Sequence, residues 1–161
     1  MAITKIKGVK NNLSRVIDYI SNDEKTNKEI YDDLHNELEY IGEDYKIEKK
    51  LYVTGINCEA QSAYEEMMMI KKHYKKEKGN IAFHSIQSFA ANEVTPDEAH
   101  EIGLQLAKEM WGDRFQVVVA THLNTKHIHN HFVINSVSFV DGKKYYDNRK
   151  NYAELRRLND S

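Results

Sequence analysis

The chain has 161 residues, of which 40% are apolar and 30% are charged, and its formal net charge is −2. This length and composition predict one folded domain and exclude an intrinsically disordered chain. No stretch approaches the roughly 18 apolar residues of a membrane-spanning helix, and the N-terminus lacks the apolar segment of a secretory signal. We therefore expect a soluble, cytoplasmic protein without membrane insertion. Cys58 is the single cysteine, which excludes an internal disulfide and a cysteine-rich zinc site, so a metal ion would be held by His, Asp or Glu.

Charges are unevenly distributed along the chain. The stretch 23–50 holds 10 acidic and 5 basic residues, so the rest of the chain carries 18 basic against 15 acidic residues. Basic residues cluster at Lys5 and Lys7, in 71–78 and in 143–157. An anionic ligand is therefore compatible with the overall negative charge, and 23–50 is predicted to be an excursion from the main fold.

Hydrophobic periodicity predicts strands and helices in alternation. The predicted strands are 2–9, 51–58, 81–90, 115–123 and 127–140, and the predicted helices are 14–20, 60–79, 95–110 and 151–161. Thr95, Pro96 and Glu98 give the strongest helix start, because they combine a capping residue, a proline at the first helical position and a glutamate three residues after the cap. Gly79 is the predicted end of the second helix. The last helix lacks a capping signal, so we expect the natural protein to continue past Ser161.

The last two predicted strands carry four of the eight histidines. Only three residues separate these strands, which is too short for a parallel crossover and predicts an antiparallel hairpin. His127, His129 and His131 alternate along the second strand and therefore share one face, with neighbouring Cα atoms about 6.5–7 Å apart. His122 lies near the end of the first strand and adds an imidazole from across the hairpin. Three imidazoles would leave open positions on a metal ion for a substrate oxygen, which suits a catalytic site.

Spacing alone leaves the metal and the reaction open. Imidazole binds zinc, copper, iron, nickel and manganese. Surface or hydrogen-bonded histidines without an ion are the alternative, which alternation on a buried strand disfavours. Asn124 can orient an imidazole by hydrogen bonding without adding charge. The remaining histidines occur singly and are interpreted as structural or solvated; they are His35, His73, His84 and His100.

Four segments together resemble the relaxase/mobilisation nuclease family, the HUH-type endonucleases that process plasmids and integrative conjugative elements. The hairpin sequence THLNTKHIHNHFVINSVS is similar to the family's histidine motif, and DGKKYYDNRKNYAELRRLND is similar to the segment that follows it. HSIQSFAANEVTPDEAHEIG resembles the middle motif, and VIDYISNDEKT resembles the segment with the nucleophilic tyrosine. These segments occur in the family's order and omit chiefly residues 27–50.

The resemblance implies an α+β fold of the HUH endonuclease type, with a central antiparallel sheet of about five strands flanked by helices. It also implies that 1–161 is a single nicking domain at the N-terminus of a longer protein, with Tyr19 as the nucleophile. The implied ligands of a divalent cation, magnesium or manganese, are His122, His129 and His131. Asn124 departs from the family's pattern, in which aspartate is common. Asn124 and His127 are expected to hydrogen-bond the site from outside the ligand set, and a proton-carrying role for His127 is left open.

The implied function is site- and strand-specific nicking and rejoining of DNA at an origin of transfer, through a 5′-phosphotyrosyl intermediate that initiates conjugation or mobilisation. Implied partners are single-stranded origin DNA, accessory relaxosome proteins and a transfer coupling protein, in a bacterial cytoplasm. Candidate DNA contacts, by charge or by base stacking, are Lys5, Lys7, Tyr145, Tyr146, Arg149, Lys150, Arg156 and Arg157. Two other classes remain open. One is a metal-dependent phosphodiesterase that activates water without a covalent intermediate, and the other is a module that only binds single-stranded DNA around a structural metal.

Overall fold

The computed structural model describes residues 3–21, 52–123, 127–146 and 148–160. Within them the strands are β1 (Ile3–Val9), β2 (Val53–Ile56), β3 (Ala82–Ser88), β4 (Val117–His122) and β5 (His129–Asn135). The α-helices are α1 (Leu13–Ser21), α2 (Ala63–His73), α3 (Pro96–Trp111) and α4 (Arg149–Asp160), and a 3₁₀ turn at Ala60–Ser62 precedes α2. The predicted α+β fold with a five-stranded antiparallel sheet is confirmed. The predicted excursion 23–50 lies outside the described residues.

All neighbouring strands are antiparallel, in the order β1-β3-β5-β4-β2. β4 and β5 form the predicted hairpin, in which His122 lies opposite His129. β5 is the central strand, and its first residues pair with β3 on one side and β4 on the other. The histidine end of the hairpin is therefore held by backbone hydrogen bonds from both sides.

Helices cover both faces of the sheet, and each face has its own apolar core. On one face, Ile20 of α1 and Met67 of α2 join a buried cluster with Val133. On the other face, Trp111 of α3 and Leu155 of α4 join a larger buried cluster. Because side chains alternate along a strand, the odd-numbered residues of β5 belong to the α1/α2 face. None of the helices in the described part of the chain is long and apolar enough to cross a membrane.

The predicted start of α3 is confirmed in detail. The Thr95 hydroxyl accepts a hydrogen bond from the backbone N–H of Glu98 at 3.2 Å, and the Thr95 backbone N–H donates to the Glu98 carboxylate at 3.1 Å. This reciprocal pair satisfies two of the N–H groups that a helix start leaves without an intrahelical partner. The local sequence is therefore sufficient to fix this boundary.

The predicted end of α2 at Gly79 is wrong, because the helix ends at His73. Lys75 adopts the left-handed conformation with φ 58°, and the Lys76 N–H donates to the Lys71 carbonyl at 2.9 Å. These bonds form a Schellman cap in which a lysine occupies the position where glycine is usual. The prediction relied on the preference for glycine at the left-handed position that ends a helix. Here a lysine adopts that conformation, so the helix ends without the preferred residue.

The observed strands are shorter than predicted, and β5 shows the largest difference. It ends at Asn135, whereas the apolar pattern continues to residue 140. Val137 makes only a single bridge to Lys144 beyond the strand, although its side chain is fully buried. The apolar pattern there reports burial of the side chains and not continued strand pairing.

A lysine is buried between α2 and the sheet. Lys71 is 0% exposed, and its ammonium donates to the side-chain oxygen of Asn135. Among the ion pairs between described residues, none includes Lys71. Burial lowers the pKa of Lys71 to about 7, and the positive charge of Lys144 acts in the same direction.

The free energy of unfolding is expected to rise with pH above pH 7 because of Lys71. Between its folded pKa and its higher unfolded pKa, the unfolded chain holds a proton that the folded chain lacks, so stability increases by up to about 1.4 kcal/mol per pH unit. Lys71→Met should remove this dependence and stabilise the protein at neutral pH by on the order of 2 kcal/mol. Urea unfolding across this pH range measures both effects. Lys72→Met, which changes an exposed neighbour, is the control, and a slope that survives in Lys71→Met would contradict the assignment.

Candidate metal centre and nucleophile

Three histidines of the β4–β5 hairpin converge on the α1/α2 face of the sheet. His122 ends β4 and pairs with His129, and His131 lies two residues further along β5. One nitrogen from each histidine lies within 4.8 Å of the others. The ring centroids of His122 and His131 are 4.1 Å apart. The structure thus brings together the three side chains that the sequence singled out as ligands.

Two of these imidazoles have one nitrogen committed to a backbone carbonyl. His122 Nε2 lies 2.8 Å from the carbonyl oxygen of Ile20, and His129 Nδ1 lies 2.7 Å from that of His127. A carbonyl oxygen can only accept, so these nitrogens carry the ring protons. The opposite nitrogens, Nδ1 of His122 and Nε2 of His129, are then unprotonated and able to bind a metal ion.

His131 completes the set through a neighbouring histidine. Its Nδ1 lies 2.9 Å from Nε2 of His84 on β3, whereas its Nε2 is buried and has no hydrogen-bond partner among the described residues. A buried polar atom without a partner costs free energy unless a ligand satisfies it. If His131 donates its Nδ1 proton to His84, its Nε2 keeps a lone pair for a ligand. Three convergent nitrogens with one orphaned atom fit a divalent ion.

Burial favours the neutral form of His122, His131 and the neighbouring His84, which is the form that metal binding requires of a ligand. Burial lowers the pKa of His131 to about 2 and that of His84 to about 4, and it also lowers the pKa of His122. Positive charge on neighbouring histidines acts in the same direction for all three, and Lys7 adds to the shift of His84. No proton has to be displaced from these rings before an ion binds at neutral pH.

Tyr19 lies at the edge of the histidine cluster. Its ring centroid is 6.4 Å from that of His122 and 6.2 Å from that of His131, with the planes at 72° and 81°. The buried face of α1, with Ile17 and Ile20, anchors the helix, whereas the Tyr19 side chain is 48% exposed. A cleft of about 760 Å³ opens beside it between α1 and α2. The half-exposed Tyr19 ring thus lies between this cleft and the three histidines.

Comparison with known proteins identifies the family. Residues 19–161 match the model of the MobA/VirD2-like relaxase nuclease domain. The chain belongs to this relaxase family. It is 39% identical over 107 residues to "Protein rlx" of Staphylococcus aureus, which covers 66% of this chain and 32% of that protein. It is 42% identical over 72 residues to the "Group II intron-interrupted relaxase LtrB" of Lactococcus lactis subsp. cremoris strain MG1363, which covers 43% of this chain and 13% of that protein. These matches span about a third of the first relative and less of the second, and no solved structure gives a significant match.

His84 lies at the site although its place in the sequence does not indicate it. Because it occurs alone in the sequence, the pattern predicts a structural or solvated histidine. Its parity along β3 places it on the histidine face, where it contacts His131 and lies opposite Lys7. Only the register between β3 and β5 brings it there, and pairing of strands so distant along the chain cannot be derived from the sequence alone.

His84→Leu is expected to weaken divalent-ion binding about tenfold, because Nδ1 of His131 loses the acceptor that orients the ring. His84→Gln should retain more affinity, since its side-chain oxygen can accept the same hydrogen bond. Calorimetric titration with Mn²⁺ at neutral pH measures the difference. His73→Leu, which removes an exposed histidine of α2, is the matched control. Equal affinities for the leucine variant and the unsubstituted protein would remove His84 from the site.

The sequence-predicted DNA contacts divide between the two faces of the sheet. Lys5 and Lys7 are exposed on β1 and lie in register with Ile86 and His84 of β3, so they share the histidine face. The basic residues of α4 lie on the helix that covers the opposite face; they are Arg149, Lys150, Arg156 and Arg157. Arg157 pairs with Glu154 at 2.6 Å.

The two neighbouring tyrosines also differ. The Tyr145 ring is buried, with centroids 5.0 Å from Phe83 and 5.5 Å from Phe115, so it is a core aromatic that cannot stack on an unpaired base. Tyr146 is 69% exposed, but it lines a cleft with Asn151 of α4, away from the histidine face.

Two residues, Asn124 and His127, are predicted to hydrogen-bond the site from outside the ligand set, and the structure describes only the second of them. Asn124 lies outside the described residues. The His127 ring is exposed, its Nδ1 lies 3.0 Å from the carbonyl oxygen of Phe89, and its own carbonyl accepts from His129. His127 therefore contributes to orienting His129 through its backbone.

Proposed function

We propose that this chain nicks and rejoins one strand of DNA at an origin of transfer, through a covalent bond between Tyr19 and the DNA. The observation that carries the proposal is the placement of the exposed Tyr19 ring against two of three imidazoles that each keep one nitrogen for a ligand. Membership of the relaxase nuclease family supports it. Mobilisation of the DNA molecule is the process that such a nick would begin.

The chemistry is an exchange of phosphodiester bonds. The Tyr19 oxygen attacks the scissile phosphorus, a new O–P bond forms to the tyrosine, and the bond to the 3′ oxygen breaks. The tyrosine loses its proton, and the leaving oxygen takes one up as a 3′-OH. One phosphoester replaces another, so the reverse step can rejoin the strand.

His122, His129 and His131 would hold the divalent ion, for which we propose magnesium or manganese. Such an ion, when bound, neutralises negative charge on the phosphate as the displacement proceeds. The chain itself couples the two parts of the site, because His122 Nε2 donates to the carbonyl of Ile20, the residue after the nucleophile. This hydrogen bond fixes α1, and with it Tyr19, relative to the ligands.

Single-stranded DNA would approach along the histidine face. Lys5 lies in the same cross-strand row as His131, two strands away and therefore about 10 Å distant. Arg15 and Tyr64 line the cleft beside Tyr19 and offer a cation and an aromatic ring to the nucleotides next to the nick. We therefore place the DNA between β1 and this cleft, and not on α4.

Replacing both Lys5 and Lys7 with glutamine is expected to weaken binding to single-stranded DNA and to reduce its salt dependence. Each phosphate contact that is lost should lower the slope of log affinity against log salt by roughly 0.7. Fluorescence anisotropy over a salt series measures the slope. The matched control replaces Lys150 and Arg156 of α4 with glutamine. If only the α4 variant lowers the slope, the DNA lies on the opposite face.

The same proposal includes relaxosome proteins and a transfer coupling protein as partners. It also includes a natural protein that is longer than this chain. The nicking domain would be the N-terminal part of that longer chain; the present chain spans about a third of the length of "Protein rlx". These interactions are proposed from membership of the relaxase family.

A doubly labelled oligonucleotide tests the proposal. A single strand that contains the cognate nick site is incubated with the protein and separated on a denaturing gel. A label at its 3′ end should migrate with the protein, because Tyr19 holds the 5′ phosphate, whereas a label at its 5′ end should appear on a shorter, free strand. Chelator should prevent both products, and added Mn²⁺ or Mg²⁺ should restore them. Cleavage without the protein-linked product would indicate the water-activating phosphodiesterase, and binding without cleavage would indicate a binding module.

A further inference from the structure

A ladder of buried polar side chains runs beneath the histidine cluster, on the opposite face of the sheet. Thr121, Asn130 and Gln87 occupy one cross-strand row of β4, β5 and β3. The Thr121 hydroxyl donates to Asn130 Oδ1 at 2.6 Å, and Asn130 Nδ2 donates to Gln87 Oε1 at 2.9 Å and to the Ala99 carbonyl of α3 at 2.7 Å. Gln87 continues the ladder to Asn159 of α4 at 2.6 Å.

The donors and acceptors of this ladder allow one arrangement of protons. Thr121 uses its only hydrogen toward Asn130, so it must accept from Nδ1 of His100, 2.8 Å away. His100 is therefore protonated at Nδ1, and its Nε2 accepts from the Thr54 hydroxyl at 2.8 Å. The hydrogen-bonding groups of these side chains are therefore paired along the whole network from β2 to β3. A buried network that is fully paired fixes the side chains that it joins.

The ladder lies directly behind the ligands. Thr121 precedes His122, Asn130 lies between His129 and His131, and both side chains are almost completely buried. The Thr121–Asn130 bond therefore joins the two strands at the residue pair next to the His122–His129 pair. Movement of either strand relative to the other would change the spacing of the imidazoles.

A glycine of α3 is independent evidence that the Asn130 side chain is held in place. A Cβ at Gly103 would lie 2.6 Å from Asn130 Nδ2. Glycine inside a helix costs about 1 kcal/mol relative to alanine, so its use here is explained by the close approach of α3 to this amide. The helix thereby closes over Asn130 and supplies the Ala99 carbonyl as its second acceptor.

We propose that Thr121 and Asn130 are positioning residues, which act from the far face of the sheet to hold the three imidazoles at the spacing that a divalent ion requires. The inference rests on the proposed metal centre and goes beyond it, because both side chains lie on the face of the sheet opposite the three imidazoles. In this proposal the two hairpin strands carry the metal ligands on one face of the sheet, and on the other face they carry Thr121 and Asn130, which fix the spacing of those ligands.

A pair of variants at one position tests this role. Thr121→Val keeps the branched shape and deletes the hydroxyl, whereas Thr121→Ser keeps the hydroxyl and deletes a methyl group. We expect Thr121→Val to weaken Co²⁺ affinity about tenfold and to alter the visible absorption spectrum of bound Co²⁺, with Thr121→Ser within about twofold of the unsubstituted domain. Calorimetry and absorption spectroscopy provide these readouts without any measurement of DNA cleavage.

Ser85→Ala is the matched control, because it deletes a buried hydroxyl from the same face of the sheet, one that donates to the Lys5 carbonyl at 2.7 Å and lies outside the ladder. It should leave the Co²⁺ spectrum unchanged. If Thr121→Val does not fold, Gly103→Ala displaces Asn130 from the side of α3 and should produce the same loss. Unchanged Co²⁺ binding in the folded variant, or equal losses in the valine and serine variants, would overturn the proposal. Absence of Co²⁺ binding in the unsubstituted protein would overturn the metal centre itself and this proposal with it.

Discussion

His129→Ala is expected to lose more than about 100-fold in affinity for Mn²⁺ and to abolish DNA cleavage while the domain stays folded. The side chain is half-buried at the start of β5, so its removal leaves little cavity, but it takes away one of three nitrogens that hold the ion. The same losses of Mn²⁺ affinity and of cleavage are expected for His122→Ala and His131→Ala, although these side chains are buried and their removal should also lower the free energy of unfolding. Isothermal titration with Mn²⁺ measures the affinity, and thermal unfolding without metal checks the fold.

His127→Ala is the control for this series, because it removes a histidine of the same segment that lies outside the convergent set. Its backbone carbonyl still orients His129, so its loss of affinity should be much smaller. Unchanged Mn²⁺ affinity in His129→Ala would remove that residue from the ligand set. Equal losses in His127→Ala and His129→Ala would mean that the ion is held by a different group of histidines.

Local patterns in the sequence are sufficient to predict the hairpin that carries the ligands. A connection of three residues permits only antiparallel pairing, and alternation then places His129 and His131 on one face. His122 joins them because it lies at the end of the paired strand. The start of α3 is predictable for a similar reason, since the capping box is completed within four consecutive residues.

Features that depend on distant strand pairing could not be predicted in this way. His84 and His131 are 47 residues apart in sequence, and only the register of β3 with β5 makes them partners. Tyr145 and Tyr146 are adjacent and chemically equal, yet one is in the core and the other is exposed. Their difference depends on how the chain returns after the single bridge between Val137 and Lys144, which no local signal specifies.

The ladder under the site shows a further limit of pattern reading. Thr121 and Asn130 lie within the histidine motif, but a β-branched residue and an asparagine on a strand have many roles. Their proposed role is visible only from the hydrogen bonds that Thr121 makes with Asn130 and with His100 of α3. In the sequence His100 is an isolated histidine. Side chains on the far face of a strand can therefore matter to a site although the motif that identifies the site does not reveal their contacts.

Tyr19→Phe should eliminate both nicking and the protein–DNA adduct while leaving metal binding and DNA binding nearly intact. The substitution keeps the ring that lies against His122 and His131 and deletes the oxygen that would bond to phosphorus. The side chain is 48% exposed, so the free energy of unfolding should change by less than about 0.5 kcal/mol. The denaturing gel with the 3′-labelled oligonucleotide measures the adduct, and anisotropy measures DNA binding.

Tyr64→Phe and Tyr146→Phe provide the controls, because one changes a tyrosine in the cleft beside Tyr19 and the other changes an exposed tyrosine away from the histidine face. Both should keep the adduct, since contacts between a ring and a base do not need the hydroxyl; Tyr145→Phe should keep it as well, because that ring is in the core. An adduct that persists in Tyr19→Phe would mean that another tyrosine attacks the phosphate. Loss of the adduct in Tyr64→Phe would then identify Tyr64 as the attacking residue. Nicking by Tyr19→Phe without an adduct would mean that water attacks the phosphate, because the histidines and their ion would then act without a protein nucleophile.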